Sequence, residues 1–172
     1  MVNQTGDVHT QQGFSYLVVL FLVATLGLTL AATGSLWHVA QQREKERELL
    51  YIGKQYRLAI TQYYERSPGG AKQFPKTLAD LLQDNRQITP QHHLRKLYRD
   101  PITNTTEWGL IAGPNNTITG VYSLSDDAPI KQSNFDETEQ DFTGQAQYSG
   151  WKFAYVNKAT KPSTSQQTPP KP

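Results

Sequence analysis

The feature that most limits what this chain can fold into is an apolar run from Phe14 to Leu36 that contains no charged residue. Roughly 20 such residues are enough to cross a bilayer as a helix. Ser15, Thr25, Thr29 and Thr33 do not interrupt the run, because hydroxyls bond back to carbonyls one turn earlier. Gly27 and Gly34 are tolerated in membrane helices and let a neighbour approach closely. Trp37 and His38 stand where an interfacial belt would lie. A secretory signal is cut behind its apolar core and the core is discarded. Here the small neutral junction comes first. A polar leader, residues 1–13, ends at Gly13, and a cut between Gly13 and Phe14 would keep the run in the mature chain.

The run has reason to continue as helix. Gln41 to Glu48 is rich in helix formers. Glu44 and Glu48 alternate there with Arg43, Lys45 and Arg47, so opposite charges can pair along a solvated face. Leu49, Ile52, Tyr56, Ala59 and Tyr63 then recur at helical spacing and form a stripe fit to lie on a sheet. Ser67-Pro68-Gly69-Gly70 ends the pattern. The spacing predicts an apolar segment over 14–36, an amphipathic continuation over 37–66, and a helix roughly 80 Å long at ~1.5 Å per residue.

About 115 residues remain before the tail, enough for one modest core. Phe74-Pro75 leads into a short helix with Thr77 as cap, Asp80 three residues on, and Leu78, Leu81 and Leu82 facing inward. Asp100-Pro101 reads as a turn entry, because proline disfavours helix at the residue before it. Strands are predicted over 108–112, 117–124 and 151–156, the first two joined by a turn at Gly113-Pro114-Asn115-Asn116. Residues 125–150 read as a long acidic, polar loop, and 157–172 as a disordered tail of Pro, Ser, Thr, Gln and Lys. The fold class is α+β, with a head over 67–156. The net charge of +2 is too small to argue for nucleic acid. The absence of cysteine excludes a disulfide framework or thiolate metal site.

Several stretches together carry a resemblance. The Gly13-Phe14 junction before an apolar helix resembles the prepilin signal of type IV pilins and type II secretion pseudopilins. Phe74-Pro75-Lys76-Thr77-Leu78-Ala79-Asp80-Leu81-Leu82 resembles a segment of the major pseudopilin of type II secretion. Arg99-Asp100-Pro101 is similar to its turn before the sheet, and Gly120-Val121-Tyr122-Ser123-Leu124-Ser125-Asp126-Asp127 to its Tyr-Ser-Leu strand. The order and spacing match from Phe14 to about Asp127.

The resemblance implies a pilin-like fold, in which a small antiparallel sheet packs on the C-terminal half of a long helix. It implies cleavage between Gly13 and Phe14 by a prepilin peptidase and methylation of the Phe14 amine. It also implies assembly with other pseudopilins into a short filament at an inner-membrane secretion platform. The chain would cross bacterial inner-membrane lipid once, with its head in the periplasm and a structural rather than enzymatic role. Three positions depart from the family. Gln11 and Gln12 replace basic residues. Val18 stands where the family usually places a glutamate that sets subunit register, which points to a minor, tip-like or specialised subunit. Ser125 replaces a frequent glycine. The basic residues Arg43, Lys45 and Arg47 follow the apolar run, against the usual charge bias for that orientation.

The family binds calcium after the Tyr-Ser-Leu strand. The resemblance makes Asp126, Asp127 and Asp136 the candidate ligands here, since calcium takes hard oxygen donors. A solvated acidic loop is the other reading of those residues. Adjacent residues on regular backbone point apart, so His92-His93, beside Arg95 and Lys96, reads as an exposed basic segment and not a metal site. Asp100 reads as a turn cap. Asn104-Thr105-Thr106 and Asn115-Asn116-Thr117 match glycosylation sequons, which matter only in a eukaryotic secretory pathway. No nucleophile triad, phosphate loop or zinc motif stands out. The alternative function is a single-pass membrane-anchored extracytoplasmic binding protein that forms no filament.

Overall fold

The structure, a computed structural model, describes residues 12–157; within the first helix the side chains of 12–13 and 28–36 fall outside that description. The predicted leader and the predicted disordered tail thus lie outside the described residues, apart from their innermost positions. The chain divides into two compact units, Met1–Arg43 and Glu44–Pro172. Helix α1, Gln12–Glu65, has 54 residues and contributes to both.

In the first unit Phe14, Tyr16, Leu17, Phe21 and Val23 are exposed. The Thr25 hydroxyl donates to the Leu22 carbonyl at 2.9 Å, the back-bonding that lets a hydroxyl sit within an apolar helix. Among the described residues, no helix is long and apolar enough to cross a membrane. Residues 28–36, the later part of the predicted span, are not among those whose side chains are described.

The second unit is α+β. Strands β1 (Gly109–Ala112), β2 (Ile118–Tyr122) and β3 (Phe153–Ala154) form an antiparallel sheet in the order β1-β2-β3. The register shifts between Ile111 and Ala112, ahead of the predicted turn, where Asn115 and Asn116 take positive φ. Each strand is shorter than predicted. The predicted stripe of Leu49, Ile52, Tyr56, Ala59 and Tyr63 is buried on α1, and Ile60 joins it. Full burial of each such aliphatic side chain contributes about 1.5–3 kcal/mol. Gly69 and Gly70, at φ 71° and 75°, turn the chain away after α1 through a conformation that glycine adopts without strain.

One close approach sets the distance between helix and sheet. A Cβ on Gly53 would lie 2.3 Å from the Phe153 ring. Phe153 is itself fully buried, edge-on to Phe142. Gly53→Ala gains about 1 kcal/mol of helix propensity but forces Phe153 to move, at about 1–3 kcal/mol. The variant is expected to melt several degrees below the wild type. An unchanged or higher Tm would show that helix and sheet are free to separate.

The short helix predicted after Phe74-Pro75 is present as a 3-10 helix, Leu78–Leu81. Its cap is the predicted one: the Asp80 carboxylate accepts from the Thr77 and Lys76 amides, each at 2.9 Å. Residues 125–150 are not simply a polar loop. Phe135, Phe142 and Tyr148 enter the core, where Phe135, Phe142 and Tyr148 surround Trp151. The segment folds through the 3-10 turns Glu137–Phe142 and Tyr148–Gly150.

Candidate functional site

The predicted processing junction lies at the beginning of α1. Phe14 is 74% exposed and Val18 is 47% exposed, amid the exposed apolar side chains Leu17, Val19, Leu20 and Phe21. Residues 14–23 lie on all sides of the helix, and the only hydrogen-bonding side chains among them are the Ser15 and Tyr16 hydroxyls. Their chemistry is therefore that of contact with other apolar matter.

The motifs downstream are physically joined. The Ser123 hydroxyl donates to Asp100 Oδ2 at 2.6 Å, and Asp100 Oδ1 accepts from the Ile102 amide at 2.9 Å. Both side chains are buried. Asp100 therefore caps its turn, as the sequence suggests, and also ties that turn to the end of β2. The Tyr98 backbone sits between two aromatic side chains: its carbonyl accepts from Trp108 Nε1 at 2.9 Å, and its amide donates to the Tyr56 hydroxyl at 2.9 Å.

The three candidate calcium ligands have separate settings. Asp126 is exposed. Asp127 Oδ2 accepts from the Ser125 hydroxyl at 3.0 Å, and the Asp127 carbonyl accepts from the Tyr148 amide at 3.1 Å. Ser125, the residue in place of glycine, thus helps close the base of the segment. Asp136 pairs with Lys54 on α1, and that contact holds the Asp136 carboxyl below its ordinary pKa. Among the described residues, no group of three or more histidine or acidic side chains is placed to hold a metal ion.

Glu46 and Asp84 are two further buried carboxylates. Glu46, on α1, accepts at one oxygen from the Ile130 amide (2.5 Å), the Lys131 amide (3.3 Å) and the Tyr148 hydroxyl (2.9 Å). Glu46 stands one turn before Leu49 on the buried stripe, so its spacing was the available signal. Asp84 lies under the C-terminal end of α1. Arg86 Nε and Nη2 bond its two oxygens at 2.8 and 2.7 Å. The same guanidinium stacks 3.4 Å from the Tyr63 ring centroid and donates to the Tyr63 carbonyl at 2.8 Å. It so closes the helix end, where carbonyls lack partners. His93 Nε2 meets Asp84 Oδ2 at 3.2 Å, and the His93 side chain is fully buried. The predicted exposed basic segment is corrected at this residue. His92 is exposed and bonds the Leu82 carbonyl instead, so the two histidines do point apart.

No protein-family model matches the chain, and no curated protein and no solved structure matches it.

Proposed function

We propose that this chain is a pseudopilin of a type II secretion or type IV pilus-like machine. It is made as a prepilin, cut between Gly13 and Phe14, methylated on the Phe14 amine, and held in the bacterial inner membrane until its helix packs into a short filament. The head lies in the periplasm, and the work of assembly comes from other components of the machine. The observation that carries the reading is the position of the Gly13-Phe14 junction, at the beginning of a 54-residue helix. The first part of that helix exposes apolar side chains, and its later part forms the wall of an α+β core. The buried Ser123–Asp100 bond adds support, since it makes one structural unit of two motifs that carry the resemblance.

The reading is tested by cross-linking. The chain has no cysteine, so a single Leu20→Cys change reports only contacts of the apolar segment. In membranes containing a prepilin peptidase and the assembly machinery, cross-links to another copy or a sibling subunit are expected, and Gly13→Val should abolish them. An anchored binding protein that forms no filament predicts no cross-link and a silent Gly13→Val.

A further inference from the structure

The 3-10 turn Glu137–Phe142 meets α1 through a buried carboxyl that is ion-paired but lacks a hydrogen bond at one oxygen. Glu139 is 2% exposed, and its Oε1 has no hydrogen-bond partner. Two cations of α1 form long ion pairs with it, beyond hydrogen-bonding distance: Lys54 Nζ is 3.7 Å from Oε2, and Arg57 Nη1 is 3.7 Å from Oε1. Each bonds a neighbour of Glu139 instead, Lys54 taking Asp136 and Arg57 taking the Thr138 hydroxyl at 3.0 Å. Arg57 Nε is buried without a partner on the same side. A buried carboxyl without hydrogen bonds is held more cheaply neutral than ionised.

We propose that Glu139 is a proton-operated fastener: the segment 129–142 lies closed on α1 when this carboxyl is neutral and loosens when it ionises. The titratable groups acting on it are Lys54 and Arg57 from α1 and Asp136 from its own turn. Burial outweighs the two cations and pushes the Glu139 carboxyl above its ordinary value. A carboxyl raised in the folded state binds its proton more readily there than in the open state. The contribution is therefore full below the ordinary carboxyl value and is lost as pH rises from there through the raised one. Asp136 moves in the opposite direction, because Lys54 bonds it, and stays ionised through that window.

Amide exchange of the full-length chain, corrected for the intrinsic effect of pH on exchange, tests the proposal at about pH 5 and about pH 8. Peptides covering 129–142 are expected to open severalfold more often at the higher pH, with sheet peptides over 109–122 unchanged. Glu139→Gln should protect the segment equally at both. Equal protection of the wild-type segment at the two pH values overturns the proposal. So does a Glu139→Gln chain that opens more than wild type at the higher pH, since the ionised pair would then be what holds the segment. If the variant does not fold, the wild-type profile alone decides.

Discussion

Arg86→Ala will cost about 3 kcal/mol, the low end for breaking a buried ion pair, because His93 still meets the Asp84 carboxylate. The Asp84 side chain it abandons is 1% exposed. The guanidinium does three things that alanine cannot: it neutralises Asp84, covers the Tyr63 ring and satisfies the Tyr63 carbonyl at the end of α1. Arg86→Lys should recover only part of the loss, because an ammonium cannot bond both carboxylate oxygens in one plane. The pH dependence has a definite sign. The Arg86 hydrogen bonds hold Asp84 well below the ordinary carboxylate range. A depressed carboxylate contributes stability above its unfolded value and loses it as pH falls through the folded one. The wild-type head should keep this contribution into strongly acid solution, whereas Arg86→Ala should lack it at neutral pH. Thermal melts of both chains across the acid range measure it. Equal melting temperatures for the two chains at neutral pH would show that the clamp contributes nothing.

Glu46→Ala is the second large effect. One carboxylate oxygen accepts from the Ile130 and Lys131 amides and the Tyr148 hydroxyl. Removing it takes the acceptor from the buried Tyr148 hydroxyl and from two part-buried amides, at about 1 kcal/mol each because water can reach the amides, so a total loss of about 3 kcal/mol is expected. Glu46→Gln keeps an acceptor oxygen at that position and should lose far less. The damage should be local as well as global, with peptides from 125–150 losing protection from exchange before the sheet does. If alanine and glutamine variants melt together at the wild-type temperature, the Glu46 contact does not hold the segment.

The difference between what the sequence revealed and what it hid follows the range of each interaction. The stripe from Leu49 to Tyr63 is local and periodic, so the spine of the head was legible. The Thr77–Asp80 cap was legible for the same reason, since both partners lie within one turn. Burial of 125–150 was not. Its core aromatics Phe135, Phe142 and Tyr148 follow no period, and acidic residues surround them. Their anchor, Glu46, lies 84 and 102 positions away from Ile130 and Tyr148. A glutamate within a charged helical run reads as solvated until the chain that covers it is in place. His93 was misread for a related reason. Asp84 and Gln91 bond each other's backbone, and this reversal brings His93 back onto a carboxylate that sequence spacing does not pair with it.

The most direct measurement of the central claim is the N-terminus of the mature chain, read by intact mass and terminal sequencing of protein purified from the membranes of the cells that make it. The mature chain is expected to begin at Phe14 and to carry one methyl group on its amine. A chain that still begins at Met1, or one cut near Thr33 behind most of the apolar run, would contradict it.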